Sequence, residues 1–562
     1  MSKQLIECVP NFSEGRDPQI LDKIAEAVKS VDGVKLLDVD PGKATNRTVF
    51  TFVGEPGPVI EAAFRAIKTA SELIDMSKHS GEHPRMGATD VCPLVPIAGI
   101  SMEETVEWAK KLGKRVGEEL HIPVYLYENA ASAPYRKNLA DIRSGEYEGL
   151  KDKINKPEWK PDFGPQAFNE RSGATVIGAR NFLVAYNINL NTTSTRRANA
   201  IAFDVREKGR VKREGDPVTG KPVLDENGEQ VFEPGMLKSV KAIGWFIEEY
   251  GIAQISMNLT DITVCKVHEA YEAVKLKSEE RGIRVTGSEL VGLIPKQALL
   301  DAGYFYLKMQ QRSAGIPEEE VIKIAVKSLG LDELKPFEPK KKVIEYLLED
   351  ESSKKLVDLT VTGFINETAS ESPAPGGGSV SALAGALGTA LGTMVANLSS
   401  HKRGWDERWD YFAAYAEKGM AIQQELIRLV DEDTRSFNLL MDAFRLPNGN
   451  ETEKSARKQA IQDATTYATQ IPLTVMQTAC RAYEVLAVMA KDGMESSISD
   501  VGVGAMCIRT CVSGAGLNVR INAQSLTDEA VRSRLLNDAL KAEADSELQC
   551  AEILKLVNSK IK

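Results

Sequence analysis

The stretch VKLLDVDPGKATNRTVFTFVG, residues 34–54, holds two apolar segments on either side of a turn that contains proline and glycine. This pattern predicts two consecutive β-strands. Working outward, residues 5–12 predict a strand and residues 17–30 a helix, while residues 57–75 predict a helix and residues 91–99 a strand. The resulting order, β-α-β-β-α-β, predicts an α/β lobe.

A second set of elements follows a proline-rich crossing at residues 155–168. Residues 173–180 and 181–190 predict a pair of strands, and the patterns of helix, strand, strand, helix and strand come after them. The order again resembles β-α-β-β-α-β. We therefore predict two related lobes, each ferredoxin-like, over residues 1–180 and 181–327.

An all-α region follows the second lobe. From Leu331 the sequence becomes charged and connective, and after residue 370 we find no strand pattern. The last ~200 residues are rich in Ala, Leu and Glu with helical periodicity, which predicts a helical bundle. We therefore assign residues 328–350 to a linker and residues 351–562 to an all-helical domain. A fusion of two modules suggests two activities.

The composition, with 43% hydrophobic and 27% charged residues among 562, is that of an ordinary soluble protein. A formal net charge of -10 argues against general nucleic-acid binding, which requires a basic surface. A small anionic substrate would need a local cluster of positive charge. The seven cysteines form no C-x-x-C pair, and the N-terminus lacks the apolar run of a signal peptide. We expect a cytoplasmic protein with reduced thiols.

Residues 372–400 contain no charged side chain and are long enough to span a membrane. They are, however, rich in Gly, Ser, Thr and Ala and poor in the large aliphatic residues that drive insertion. We predict no membrane span. The first third, with two prolines and three glycines, is expected to be non-helical. The rest predicts a small-residue helix, including Gly388 and Gly392, that packs closely in a bundle.

The stretch HSGEHPRMGATD, residues 79–90, contains two of the five histidines. His79, Glu82 and His83 match H-x-x-E-H, an inverted zinc-peptidase motif. Metal binding would require both histidines on one helix face, but a glycine between them weakens a helix and Pro84 disfavours the α conformation at His83. Since no third ligand follows at a recognisable spacing, we expect no metal.

The alternative is a histidine that only fills space in a loop. Against it, the ten residues from Gly81 combine His, Arg, Glu and Asp with two glycines ahead of a strand, a composition that suits a site loop. Imidazole, with a reference pKa of ~6.5, both accepts and donates a proton near neutrality. We predict that His83 transfers protons and that His79 is a surface residue at the end of the preceding helix.

Several long blocks, in order along the chain, resemble two known families. LIECVPNFSEG, HSGEHPRMGATDVCPLVPI and GARNFLVAYNINL are similar to the glutamate formimidoyltransferase family. SPAPGGGSVSALAGALG and LVDEDTRSF are similar to the formimidoyltetrahydrofolate cyclodeaminase family. The resemblance spans nearly the whole chain and implies a bifunctional folate enzyme of histidine breakdown. The clearest departure is a predicted exposed hairpin of ~17 residues with Asn227-Gly228 as its turn.

The resemblance implies transfer of a formimidoyl group from N-formimidoyl-L-glutamate to tetrahydrofolate, a co-substrate that we expect to be polyglutamylated. The family's catalytic histidine falls on His83, which local chemistry already favours. Arg47 and Arg85 are candidate clamps for the glutamate carboxylates, because guanidinium offers a bidentate fork, with surface ion pairs as the default alternative. The family's folate contacts fall on ten consecutive residues, for which a plain inter-lobe linker is the alternative: Gly164, Pro165, Gln166, Ala167, Phe168, Asn169, Glu170, Arg171, Ser172 and Gly173.

The second implied reaction closes a ring to 5,10-methenyltetrahydrofolate and releases ammonia. At 100° per residue, helical phase places Asp433 on an apolar stripe with Leu429, Phe437 and Phe444, and Asp431 on the opposite side. Burial would raise the pKa of Asp433, and the family's catalytic aspartate aligns with this position. The alternative is a structural ion pair to an arginine on a neighbouring helix.

Three glycines, Gly376, Gly377 and Gly378, precede the small-residue helix. No G-K-[ST] follows them, so a phosphate loop is excluded. They would let bare backbone approach a flat ligand such as the pterin, and a flexible lead-in to the helix is the alternative.

Two other interpretations of the helical module remain open beside deamination. It could hydrolyse methenyl-folate as a cyclohydrolase, or serve only as a non-catalytic oligomerisation bundle. In each case we expect small-molecule substrates, no nucleic-acid partner, no membrane span and a homo-oligomer formed through the helical domain.

Overall fold

The first lobe is built on one mixed sheet with helices on both faces. The computed structural model describes residues 4–43, 45–81, 83–216, 219–348, 355–372 and 374–561. The strands of this lobe are β1 (Leu5–Cys8), β2 (Asn11–Phe12), β3 (Val34–Gly42), β4 (Arg47–Gly54), β5 (Thr89–Ala98), β6 (Val124–Glu128) and β7 (Thr175–Ala179). Its helices are α1 (Pro18–Lys29), α2 (Pro56–Leu73), α3 (Met102–Glu119), α4 (Leu139–Arg143) and α5 (Glu146–Lys153).

The strand order of this sheet is β3-β4-β1-β5-β7-β6, with the short β2 also between β4 and β5. Pairs among the first five strands are antiparallel, whereas β7 runs parallel to both β5 and β6. Side chains alternate between the two faces of a strand. Ile6 and Phe52 therefore belong to the core that also contains residues of α1, α2 and α3, while Glu7 and Arg47 lie on the opposite face.

The predicted pairing of residues 173–180 with residues 181–190 is wrong. The first segment forms β7 in the first sheet, and the second contains β8 (Val184–Leu190), which belongs to another sheet. Every residue of β7 is buried. A strand buried on both faces has no polar alternation, so its sequence does not identify the strand with which it pairs.

The second lobe is an antiparallel sheet in the order β11-β12-β8-β13. Helix α6 packs on β11 and β12, and α7 packs on β8 and β13. The elements that follow β8 along the chain are α6 (Thr195–Val205), β9 (Arg210–Val211), β10 (Phe232–Glu233), β11 (Val240–Ile247), β12 (Ile252–Leu259), α7 (Val267–Glu279), β13 (Val285–Val291), α8 (Lys296–Met309) and α9 (Glu318–Leu329).

The predicted exposed hairpin forms between β9 and β10, which pair antiparallel. The Asp225 amide donates to the Glu229 carbonyl at 2.8 Å, and the Gly228 amide donates to the Asp225 carbonyl at 3.0 Å. The turn therefore has three residues rather than the predicted two, with Gly228 in the left-handed region at φ 80°. Residues 217–218 of the predicted hairpin lie outside the described residues.

The C-terminal region is helical, and no strand occurs among the described residues from 355 onward, as predicted. Two short helices, α10 and α11, precede it. The helices are α10 (Pro339–Lys342), α11 (Ile344–Leu348), α12 (Val361–Thr368), α13 (Gly377–Ser400), α14 (Trp409–Phe444), α15 (Glu451–Cys480), α16 (Ala482–Asp492), α17 (Ile498–Ala523) and α18 (Glu529–Lys560). The chain divides into two compact units, one with both α/β lobes and one with the helical region, and Gly303–Ile324 groups with the helical unit.

Helix α13 is the central helix of the helical unit and packs against α14 and α17. It is long and apolar enough to cross a membrane, but 61% of its apolar window is buried inside the protein. The predicted close packing is confirmed, since a Cβ on Gly388 would lie 2.7 Å from the carbonyl oxygen of Gly504 in α17. The prediction that the whole glycine segment is non-helical is wrong, because α13 begins at Gly377. The amides of a first helical turn need no partner within the helix.

Candidate active sites

His83 lies in an irregular loop before β5, and its side chain is half-buried. Its Nδ1 lies 2.7 Å from the carbonyl oxygen of Pro84. Because a carbonyl oxygen only accepts hydrogen bonds, Nδ1 carries the proton in the neutral ring. Nε2 is then the basic nitrogen, which is the arrangement that a proton acceptor requires.

The geometry that the zinc motif needs is not present around His79 and His83. The backbone at His79 is extended, with ψ 135°, and His83 is also outside any helix. Glu82, the third residue of the motif, lies outside the described residues. In the part of the chain that the structure describes, no group of three His, Cys, Asp or Glu side chains is arranged to hold a metal ion.

His79 ends a 3-10 turn, Met76–Lys78, rather than the preceding α-helix. Its Nε2 lies 3.0 Å from the carbonyl oxygen of Asn46, and its Nδ1 accepts from Arg85 Nε at 3.3 Å. The side chain is half-buried, so the prediction of a surface residue is only partly right. Both ring nitrogens are engaged, and we therefore interpret His79 as an anchor of the loop.

Asp90, the last residue of the quoted loop, is fully buried between two arginines. Arg47 from β4 and Arg143 from α4 each donate to its carboxylate. The Met86 amide also donates to Asp90 Oδ1 at 3.0 Å. Two guanidinium groups against one carboxylate leave one positive charge in excess, which suits an anionic substrate.

This positive cluster acts directly on His83. Burial, followed by the charges of Arg47 and Arg143, lowers the pKa of His83 to about 3. The imidazole is therefore neutral at physiological pH and able to accept a proton. An anion bound by the two arginines would offset their charge and raise the pKa of His83 toward its ordinary value.

Arg47 and Arg85, the predicted carboxylate clamps, have different surroundings. Arg47 donates from Nε to Asn11 at 3.0 Å and from Nη1 to Asp90, so it belongs to the His83 site. Arg85 forms ion pairs with Glu146 at 3.0 Å and Glu148 at 2.7 Å. Its predicted role as a clamp stays a prediction, and in this arrangement both terminal nitrogens are bound by the protein's own acids.

The predicted folate segment, residues 164–173, begins as an exposed loop and ends buried beside the His83 loop. The Ala88 amide donates to the Ser172 carbonyl at 2.9 Å, and Gly87 and Gly173 form an isolated bridge. A Cβ on Gly173 would lie 2.1 Å from the Met86 carbonyl oxygen, so only glycine fits. The segment and the histidine loop are thus held together, although 80 or more residues separate them in the sequence.

Three other residues of this segment contact the rest of the first lobe. Phe168 packs against Tyr147 with ring centroids 5.4 Å apart. Gln166 donates to the Ile154 carbonyl at 3.0 Å, and Arg171 donates to the Glu72 carbonyl. Exposed residues from Gly164 to Ala167 leave a surface that a ligand can reach.

In the helical unit, Asp433 lies beside the first turn of α13. Ser379 donates from Oγ to Asp433 Oδ2 at 3.0 Å. Burial raises the pKa of Asp433, and the hydroxyl and amide of Ser379 lower it in part. None of the ion pairs among the described residues involves Asp433. The alternative predicted for Asp433 was a structural ion pair with an arginine. Its structural role is instead that its carboxylate caps the N-terminus of α13.

The predicted apolar stripe of α14 is confirmed near Asp433 and wrong at its end. Leu429 and Val430 are fully buried, and Ser436 is 2% exposed. Phe444 is 45% exposed, because α14 continues for 36 residues and leaves the core before it ends. Asp433 thus lies on the buried side of the helix, close to where that side opens to solvent.

Asp431 and Glu432, the two acids next to Asp433 in α14, have clear structural partners. Asp431 accepts from the Leu356 amide at 2.7 Å. Glu432 accepts from the hydroxyl of Tyr467 and forms ion pairs with two arginines of its own helix. Burial raises the pKa of both Asp431 and Asp433, but of the two only Asp433 lies beside the first turn of α13.

The three glycines before and within α13 have unequal surroundings. A Cβ on Gly378 would lie 2.1 Å from Asp433 Oδ1, so glycine is needed there for the carboxylate to approach. A Cβ on Gly377 would lie 3.2 Å from Asn518 Nδ2, and one on Gly376 would meet nothing within 4 Å. The predicted contact with a flat ligand stays a prediction, for which Gly376 offers the most open space.

Sequence reasoning missed Asp90, Arg143 and Ser379. Asp90 is part of the quoted loop, and its position directly ahead of an apolar strand could have singled it out. Arg143 lies 53 residues away from Asp90 in an unremarkable helical turn, and the sequence carries no signal of their contact. A cavity of about 320 Å³ in the second lobe contains none of the predicted site residues, and its Asp204 is paired with Arg210 and Arg281.

The two sites define an acid–base enzyme made of an α/β unit and a helical unit. One unit holds a neutral imidazole beside a positive cluster, and the other holds a carboxyl whose pKa is raised. Each group is suited to general acid–base catalysis, and each lies in its own unit.

Comparison with known proteins matches three family descriptions in sequence order: "Formiminotransferase domain, N-terminal subdomain" at residues 5–180, "Formiminotransferase domain" at residues 185–349, and "Formiminotransferase-cyclodeaminase" at residues 360–541. The chain is 43% identical to formimidoyltransferase-cyclodeaminase of Mus musculus over 552 residues, which cover 98% of each chain. It therefore belongs to the formimidoyltransferase-cyclodeaminase family.

Separate relatives match the two units. Glutamate formimidoyltransferase of Thermoplasma acidophilum is 45% identical over 307 residues, 54% of this chain and 93% of the relative. Methenyltetrahydrofolate cyclohydrolase of Methylorubrum extorquens is 31% identical over 202 residues, 36% of this chain and 97% of the relative. The two-part organisation of the chain thus corresponds to proteins that also occur singly.

Proposed function

We propose that the chain is a bifunctional folate enzyme of histidine degradation. It transfers the formimidoyl group of N-formimidoyl-L-glutamate to tetrahydrofolate and then converts 5-formimidoyltetrahydrofolate to 5,10-methenyltetrahydrofolate and ammonia. The observation that carries this proposal is a neutral imidazole in one unit, His83, and a carboxyl group of raised pKa in the other, Asp433, within a chain that matches bifunctional relatives over 98% of its length.

In the transfer reaction, N5 of tetrahydrofolate attacks the amidine carbon, and the resulting tetrahedral adduct expels glutamate as an amine. The attacking nitrogen loses a proton and the leaving nitrogen gains one. His83 performs both steps, because its Nε2 is free to accept while Nδ1 is held by the Pro84 carbonyl. Arg47 and Arg143 bind the carboxylates of the substrate, and the bound charge brings the pKa of His83 into a useful range.

In the second reaction, N10 attacks the carbon of the protonated formimidoyl group (–CH=NH2+), and its nitrogen leaves as ammonia to give the cationic 5,10-methenyl product. Asp433 accepts the proton of N10 and delivers it to the leaving amino group. Its raised pKa makes a carboxyl group competent for both directions. Ser379 keeps the carboxylate oriented through its hydroxyl.

Finer features of the proposal rest on further observations. The order of the first lobe's strands β5-β1-β4-β3, and of the second lobe's β13-β8-β12-β11, supports two ferredoxin-like lobes at residues 1–180 and 181–327. Exposed apolar side chains on α13 and α17, including Leu387 at 57% and Leu517 at 63%, support a homo-oligomer formed through the helical domain at residues 351–562. We also propose a cytoplasmic location, a polyglutamylated co-substrate and chemistry without a metal.

The test is an absorbance assay for 5,10-methenyltetrahydrofolate from formimidoylglutamate and tetrahydrofolate, coupled to a measurement of ammonia. We expect both products in equal amounts, and neither when one substrate is omitted. Formation of free glutamate without methenyl-folate would leave only the first activity.

A second candidate activity for the helical unit is methenyltetrahydrofolate cyclohydrolysis, supported by the 31% identity to the cyclohydrolase relative. The two activities differ in whether ammonia is released. Ammonia release from 5-formimidoyltetrahydrofolate supports deamination, whereas hydrolysis of methenyl-folate without ammonia supports the cyclohydrolase.

A further inference from the structure

A carboxylate that the proposed transfer reaction does not use lies in the middle of the first sheet. Glu7 in β1 is only 4% exposed. Within the described residues, its carboxylate forms no hydrogen bond and no ion pair. Burial nevertheless disfavours the charged form of this carboxylate, because its surroundings solvate a charge less well than bulk water does.

The neighbours of Glu7 do not compensate its charge. On the adjacent strands its register partners are Val53 and Val95, which are 2% and 0% exposed. Burial raises the pKa of Glu7 to about 7, and the charge of Arg180 opposes this only in part. The carboxylate therefore lies between two valine side chains with its hydrogen-bonding capacity unused.

Glu7 shares a sheet face with the arginine cluster. Arg47 and Val53 are six residues apart on β4, so both side chains lie on the same face as Glu7. At the rise of a strand this separation is roughly 20 Å. One face thus has cations at one end, where Arg47 and Arg143 meet Asp90, and an unpaired carboxylate at the other.

We propose that Glu7 binds the 2-amino-4-oxo pyrimidine edge of the pterin of tetrahydrofolate. The ring N3–H and the 2-amino group form a donor pair that matches the two oxygens of a carboxylate. The inference rests on the proposed transfer function of this unit, and it makes Glu7 a specificity residue for the acceptor substrate.

The other substrate fits the opposite end of the face. Formimidoylglutamate carries two carboxylates, which require the guanidinium groups of Arg47 and Arg143 and would be repelled by Glu7. It is also too short to contact both ends. The length of the face therefore accommodates the two substrates end to end, with the formimidoyl group between them.

The test is Glu7→Gln in the full chain, which keeps the shape of the side chain and removes its charge. We expect the KM for tetrahydrofolate in the transfer reaction to rise about 10- to 100-fold, as for loss of hydrogen bonds to a charged group, with the KM for formimidoylglutamate changed less than about 2-fold. The melting temperature should not fall, because no partner of Glu7 is lost.

The matched control is Glu61→Gln on α2, where the carboxylate forms ion pairs with Arg65 and Arg115 outside the sheet face. It should leave both KM values unchanged. A raised KM for formimidoylglutamate in Glu7→Gln, or an unchanged KM for tetrahydrofolate, would overturn the assignment.

A second measurement needs no turnover and so separates this inference from the proposed function. Wild-type protein should bind tetrahydrofolate at one class of sites about 10-fold or more tightly than a 2-desamino-2-methyl analogue, and Glu7→Gln should bind the two equally at that class. Calorimetric titration gives both affinities. Equal discrimination by wild type and variant would contradict the proposal even if the transferase assay failed.

Discussion

The His83 site and the Asp433 site, which hold the two proposed proton carriers, differ in what surrounds the titrating side chain. Burial disfavours the charged form in both, and so lowers the pKa of the imidazole and raises that of the carboxyl. At His83 two guanidinium groups increase the shift, whereas at Asp433 no charged side chain contributes. The first site is therefore prepared for an anionic substrate, and the second depends mainly on burial.

The largest expected effect is a clean separation of the two activities. His83→Ala should reduce formimidoyl transfer about 100- to 10,000-fold, the range of general acid–base catalysis, and leave cyclodeamination of supplied 5-formimidoyltetrahydrofolate unchanged. Asp433→Asn should do the reverse. Initial rates of glutamate release and ammonia release measure the two reactions separately.

The control for the imidazole is His121→Asn, at an exposed position outside the site. It should leave both rates unchanged. Near-normal transfer by His83→Ala, or equal loss of both activities in either variant, would break the comparison.

A second difference between the sites should appear in stability. Asp90→Asn removes the carboxylate that Arg47 and Arg143 share and should lower the free energy of unfolding by ~3–5 kcal/mol. Asp433→Asn should cost much less, because asparagine retains an oxygen that can cap α13. Denaturant unfolding of the full chain measures both free energies. The control is Asp442→Asn, which removes one partner of an exposed ion pair and should cost no more than ~1 kcal/mol.

The same buried cluster predicts a dependence of stability on pH. Burial raises the pKa of Asp90, but the charges of Arg143 and Arg47 outweigh it and hold the pKa at about 2. A lowered folded-state pKa contributes stability above the unfolded value of ~3.9 that is lost as the pH falls through the folded one. Wild type should therefore lose stability from about pH 4 toward pH 2, and Asp90→Asn should lack this part of the loss.

The effect of the arginines on His83 is open to direct titration. Arg143→Gln removes one of the two positive charges that lower the pKa of His83, so the pKa should rise. Saturating formimidoylglutamate should raise it in wild type for the same reason. NMR titration of labelled histidine rings measures both shifts, and Arg445→Gln in the helical unit should produce none. If the pKa of His83 responded to neither change, the arginines would not act on His83, and the two sites would not differ in their electrostatics.

The smallest expected effect concerns the hydroxyl beside Asp433. Ser379→Ala removes a hydrogen bond worth ~1 kcal/mol and should lower the rate of cyclodeamination about 5-fold, with transfer unchanged. Because the Ser379 hydroxyl lowers the pKa of Asp433, its removal should move the pH profile of that step toward higher pH. Thr389→Val, which alters a hydroxyl elsewhere in the same helix, should have no effect on either quantity.

Much of the fold could be predicted because local patterns determine it. The alternation around residues 34–54 gives β3 and β4, and the small residues of α13 predict its close packing against a neighbouring helix. The partner of β7 could not be predicted, since its buried run lacks alternation. The start of α13 at Gly377 was also hidden, because the glycine run there includes Gly378, where glycine allows the approach of Asp433 from another helix.

The candidate sites divide in the same way. His83 and Asp433 could be identified from a loop composition and a helical phase, which are local properties. The Asp90–Arg143 contact joins β5 to α4 across 53 residues, and the Asp433–Ser379 contact joins α14 to α13 across 54 residues. Such contacts depend on the packing of whole elements, and no short stretch of sequence contains them.

The most direct measurement of the central claim, that each reaction has its own proton carrier, is a complementation assay. His83→Ala and Asp433→Asn are supplied with formimidoylglutamate and tetrahydrofolate, first separately and then mixed, and methenyl-folate is followed by absorbance. Neither variant alone should form the product, and the mixture should form it as 5-formimidoyltetrahydrofolate passes between chains. Product formation by either variant alone at the wild-type rate, or none from the mixture, would contradict the account.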